Sequence, residues 1–108
     1  MRVDEALAEI LQEAKRIARI LPGTSWYGFG SYFKGQRSFG DIDLLVVCPS
    51  AADTIFIRAR TAALCARWPL HLVIMTEAEQ SETGFVVSEG CVMLVPCYCP
   101  GEDTLNPN

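Results

Sequence analysis

The sequence predicts an α/β (α+β) domain: a small mixed β-sheet of about four strands with helices packed on it. Three observations lead there. Apolar residues alternate between helical spacing and short β-prone runs, in the order α-β-β-α-β-α-β. One run, Leu44-Leu45-Val46-Val47, has no polar alternation, so it belongs to a central strand covered on both faces. Pro and Gly punctuate the runs at Pro22-Gly23, Pro49, Pro69 and Pro96.

Leu7, Ile10, Leu11, Ala14, Ile17, Ala18 and Leu21 recur at helical spacing, with Glu9, Glu13, Lys15, Arg16 and Arg19 mostly on the other side. This predicts an amphipathic helix over about 4–20, ended by Pro22-Gly23. Ser25 to Phe29 is a short aromatic-rich strand, followed by a glycine-rich turn. Asp41 to Cys48 is a second strand closed by Pro49, and Ala51 to Trp68 a second helix stopped before Pro69. Leu70 to Met75 is a third strand. Thr76-Glu77-Ala78-Glu79 fits a capping box opening a helix to about Ser88, with Gly84 as its weak point. Cys91 to Pro96 reads as a fourth, edge strand. The expected domain is residues 1–99, with 100–108 as a frayed tail.

Composition excludes several function classes. With 108 residues, half of them hydrophobic and a fifth charged, the chain fits a single globular domain. A net charge of −4 gives no global drive toward nucleic acid or acidic membranes, so any phosphate binding has to be local. No apolar run approaches the length of a membrane span. Asp4, Glu5, Glu9 and Glu13 interrupt the first apolar pattern, unlike a secretory signal, so a cytoplasmic setting is expected. Five cysteines, Cys48, Cys65, Cys91, Cys97 and Cys99, form no Cys-x-x-Cys pair, which fits reduced thiols behaving as small hydrophobes.

The chemistry concentrates in residues 28–47. Gly30 can take positive φ and lets backbone approach a ligand. Ser31 adds a hydroxyl and an N–H where free amides favour phosphate. Lys34 and Arg37, in the same loop, can neutralise phosphate oxygens. Asp41 and Asp43, two apart on a strand, point the same way while Ile42 turns inward. At about 4 Å and an effective dielectric near 20, two carboxylates repel by about 4 kcal/mol. Such a pair is either left in water or bridged by a divalent cation, and Mg²⁺ (or Mn²⁺) takes one or two carboxylates plus substrate phosphates. Beside this stand plainer readings: a strand-entry turn at Gly40-Asp41, solvated loop charges at Lys34 and Arg37, and Glu77 and Glu79 serving only the helix cap. Trp26, Tyr27 and Phe29 are core candidates, with Tyr27, Tyr32 or Phe33 able to lie near a bound base.

Gly30-Ser31, nine intervening residues, then Asp41-Ile42-Asp43 within an apolar strand resembles the signature of the DNA polymerase β-like nucleotidyltransferase superfamily. The length resembles its minimal branch. The resemblance implies transfer of a nucleoside monophosphate from a nucleoside triphosphate to a hydroxyl, with two divalent cations held at Asp41 and Asp43 and phosphate at Gly30 and Ser31. It also implies a third carboxylate on a following strand. Here that strand is Leu70 to Met75, whose only polar side chain is His71. His71 can serve as a base, and its nitrogen suits Mn²⁺ or Zn²⁺ better than Mg²⁺. Glu77 or Glu79 can alternatively swing in. Some minimal members are antitoxins paired with an all-helical toxin, so the alternative is a catalytically degenerate protein that binds nucleotide or neutralises a toxin. A homo-oligomer through the C-terminal edge strand (Val92, Leu94 and Val95, with Cys97 and Tyr98) is a further expected contact.

Overall fold

The computed structural model describes residues 3–35 and 40–96. The expected tail 100–108, with Cys97, Tyr98, Cys99 and Arg37, lies outside the described residues. The elements run α1 (Val3–Ile20), β1 (Ser25–Phe29), α2 (Gly30–Phe33), β2 (Ile42–Cys48), α3 (Ala51–Arg67), β3 (Leu70–Thr76), α4 (Glu77–Thr83), α5 (Phe85–Ser88) and β4 (Val92–Val95). The four strands form one mixed sheet in the order β3-β2-β1-β4. β1 is antiparallel to both β2 and β4, while β2 and β3 are parallel. A parallel pair needs a crossover, and α3 provides it.

The helical spacing of α1 buries Ala6, Ile10, Ala14 and Ile17 on one face. They meet Trp26, Leu44, Val46 and Ile57 in the larger core between α1, α3 and the sheet. Polar contacts tie the helices together: Trp68 Nε1 donates to Glu9 Oε1 at 2.6 Å, Arg60 Nε donates to Glu13 Oε2 at 2.9 Å, and Arg67 Nη2 lies 3.4 Å from Glu9 Oε2. The opposite sheet face carries a thinner core. There Phe29, Leu45 and Val47 pack with Tyr27, Val73, Met75, Phe85 and Val86. β2 is therefore covered on both sides, as its unbroken apolar run requires; Leu44, Leu45 and Val46 are wholly buried. Each such side chain contributes about 1.5–3 kcal/mol of burial.

Two elements differ from expectation. The glycine-rich turn closes as a single helical turn, α2. The helix expected from Thr76 to Ser88 is two helices, because Gly84 adopts φ +63° and ends the first in the left-handed conformation. Among the described residues, no helix is long and apolar enough to cross a membrane.

Candidate functional site

Strand register assembles the site. Phe29, the last residue of β1, pairs with Asp43 in β2, and Asp43 pairs with His71 in β3. Directly paired residues share a face, so these three side chains form a row across three strands, on the face away from α1 and α3. The Phe29 ring meets the His71 ring edge-on at 6.2 Å, and the Phe85 ring at 5.1 Å on another side.

Asp43 is held from two directions. Its Oδ1 lies 3.0 Å from His71 Nδ1. A carboxylate only accepts, so the neutral ring meets it with Nδ1–H donating and keeps the Nε2 lone pair free. Its Oδ2 lies against the backbone of Gly30, where a Cβ would fall 1.9 Å away. Gly30 also has φ +79°. Position 30 is thus restricted twice, by backbone conformation and by the carboxylate that occupies the missing side chain's space. The Asp43 side chain retains 21% exposure and that of His71 58%, so the pair opens to solvent on the histidine side.

Gly28 has a separate steric reason. A Cβ there would stand 2.5 Å from the Phe33 ring, which folds back from α2 over β1. Phe33 belongs to the larger core, so it anchors the turn and is not a loop residue presented to a base. The turn is closed by Lys34 N–H donating to the carbonyls of Gly30 and Ser31 at 3.2 Å. Ser31 is half-buried within it, and Lys34 is exposed at its end.

The remaining candidates fall in different places. Asp41 precedes β2 and is exposed; Ile42, wholly buried beside it, donates its N–H to the Pro69 carbonyl at 3.0 Å. Glu79 is engaged in the capping box: its N–H donates to Thr76 Oγ1 at 3.1 Å, and its Oε1 accepts from Thr76 N–H at 2.9 Å. At about 3.3 Å per residue, Glu77 lies roughly 20 Å along the strand from His71. Neither glutamate swings into the site of its own chain. Cys48 is buried, and desolvation pushes its thiol pKa up, with the Asp53 charge adding to it. Cys91 is raised for the same first reason, with Glu89 adding. Both are poor nucleophiles. Cys65, expected to pack as a small hydrophobe, is instead exposed on α3.

Sequence reasoning took Phe29 for core and Phe33 for a residue able to lie near a bound base, and did not single out Gly28 as a part of this site. The Gly-x-Gly spacing at the end of β1 was the available signal, since an interior strand glycine marks close approach by another group. Compared with models of known protein families, with curated proteins and with solved structures, the chain matches none of them.

Proposed function

We propose that this chain is a nucleotidyltransferase-like domain that binds a nucleoside triphosphate at the Gly30–Ser31 turn and transfers its nucleoside monophosphate to a hydroxyl. The observation that carries this reading is the approach of Asp43 to Gly30, with His71 on the carboxylate's other oxygen. It joins the tight turn, the acid and a proton acceptor into one constellation.

The donors present suit a divalent cation. The carboxylates of Asp41 and Asp43 offer the hard oxygens that a divalent cation takes, while His71 Nδ1–H stays on Asp43 Oδ1 as a hydrogen-bond donor. Among the described residues no group of three His, Cys, Asp or Glu side chains is gathered to hold an ion alone. Asp41 and Asp43 would therefore share the ion with water and phosphate oxygens, the usual arrangement for Mg²⁺ (or Mn²⁺). Such an ion, when bound, neutralises charge on the polyphosphate.

The chain's own residues have distinct tasks. Gly30 and Ser31 present backbone to the phosphates, and Lys34 adds a positive charge at the end of the same turn. His71 Nε2 accepts the proton of the attacking hydroxyl while Asp43 fixes the ring's orientation. The new bond forms between that oxygen and the α-phosphorus. The α–β phosphoanhydride bond breaks, and pyrophosphate leaves with the electron pair. A second reading, a nucleotide-binding or toxin-neutralising protein without catalysis, is favoured by one observation: both Asp43 oxygens already have neighbours within the fold.

Isothermal titration of the chain with ATP and Mg²⁺ tests the reading. Metal-dependent binding is expected, and it is expected to vanish in the Asp41→Ala, Asp43→Ala double variant. Absence of binding in the unsubstituted chain overturns the proposal. Binding without pyrophosphate release, whatever hydroxyl acceptor is supplied, favours the second reading.

A further inference from the structure

The two edges of the sheet are built differently. β4 has four residues, carries a register shift against β1 at Trp26/Tyr27, and is followed by Pro96. Shortness, a bulge and a proline are ordinary ways of blunting an edge. β3 has none of these. Its seven residues, Leu70-His71-Leu72-Val73-Ile74-Met75-Thr76, pair in unbroken register with β2 and contain no Asp, Glu, Lys, Arg or Pro. Among the described residues its outer side has no strand partner.

The helix beside this edge is equally uncovered. α3 buries Ile57, Thr61 and Leu64, and one further side of it is made of small apolar residues with Ile55 among them. Its outer surface leaves Ile55 73% exposed and also exposes Ala59, Ala62 and Cys65. Between α3 and β3 runs a groove of about 410 Å³, whose lining includes Arg58, Thr61, Ala62, His71, Leu72 and Ile74.

We propose that the outer edge of β3 and the outer face of α3 form a two-fold interface between two copies of this chain. The strand is self-complementary. With Val73 on the axis of an antiparallel pair, Leu72 stands opposite Ile74, His71 opposite Met75 and Leu70 opposite Thr76. No like charges meet across the strands, and the apolar pairs fall on the groove side, where α3 of each copy covers them. The pairing supplies the unused backbone groups of β3 with partners and joins the sheets across the axis. It also brings the Thr76–Glu77 end of one chain beside the His71 end of the other. The carboxylate that is about 20 Å from His71 within one chain thereby approaches it from the second.

Light scattering coupled to size exclusion, run on the full chain across micromolar concentrations, tests this. A mass of twice one chain is expected. Ala62→Arg, on an already exposed face, is expected to weaken the dimer at least about tenfold while the circular dichroism spectrum stays unchanged; Leu72→Lys, at a position that also packs on its own core, is expected to weaken the dimer as well. Met93→Lys on β4 is expected to leave the dimer intact. A monomer throughout the range overturns the proposal. So does a dimer that withstands Ala62→Arg and Leu72→Lys, or one broken by Met93→Lys instead.

Discussion

His71 Nδ1 and Asp43 Oδ1 lie 3.0 Å apart because parallel strands β2 and β3 pair those two positions directly. The contact fixes which ring nitrogen faces the acid and which remains available, and it depends on register alone. His71 is the single histidine of the chain, so its ring can be observed without overlap. Nitrogen-15 spectra of the imidazole are expected to show the neutral ring protonated mainly at Nδ1. Asp43→Asn is expected to shift the balance toward Nε2–H, because an amide can offer N–H as well as C=O to the ring. A tautomer ratio unchanged by that substitution would show that the carboxylate does not orient the ring.

Gly30→Ala places a Cβ where the Asp43 carboxylate already sits and forces a non-glycine residue to φ +79°. The backbone conformation alone costs about 1–3 kcal/mol. Denaturant unfolding is expected to report at least that loss, and nucleotide binding is expected to fall with it. Asp43→Gly in the same background removes the collision but not the strained φ, so it is expected to recover only part of the stability.

Gly28 and Phe33 are expected to be energetically coupled. Gly28→Ala collides with the Phe33 ring at 2.5 Å, whereas in a Phe33→Ala background that space is open. A double-mutant cycle is expected to give an interaction energy within the range of about 0.5–3 kcal/mol seen for touching residues, with the second alanine costing less than the first. Simple additivity would show that the ring does not rest on the glycine.

Thr76→Ala removes the cap of α4 and is expected to cost about 1 kcal/mol in unfolding experiments. With the chain monomeric, nucleotide affinity is expected to stay unchanged, since the cap lies far along β3 from His71. A parallel loss of affinity would place Glu79 in the site after all.

The described thiols are expected to differ in reactivity. Peptide mapping after alkylation is expected to find Cys65 modified first, with Cys48 protected by burial, Cys91 by partial burial, and both by raised pKa values. The sign for stability follows. A thiol whose folded pKa lies above its unfolded value keeps its proton in the fold after the unfolded chain has lost it. Its contribution is therefore complete below the unfolded thiol pKa and is lost as pH rises toward the folded one. Unfolding midpoints measured from neutral pH upward check this.

Much of the architecture was legible from local pattern. The period of α1, the unbroken apolar run of β2 and the Thr76–Glu79 box each encode their outcome within a few residues, so α1 and β2 stand within a residue or two of expectation and α4 starts where the box places it. α2 was less legible, since a four-residue turn carries too short a pattern to show a period. Gly84 was visible as a weak point, but a helix break depends on whether the glycine adopts positive φ. That is settled by what the following residues pack against, here Phe85 and Val86 on the smaller core. Cys65 was misread because helical spacing tells that α3 is apolar, not which of its sides meets the sheet.

From the chain alone came the acids two apart, the glycine-serine turn before them and one histidine in a later strand: an inventory of chemistry with its spacing. Only the tertiary structure decided that Asp43 reaches Gly30 on one side and His71 on the other. The physical reason is that spacing along a strand determines the face of a side chain, whereas its neighbours are set by strand order and register. Those arise from the packing of whole helices and sheet faces, which no short window of sequence contains.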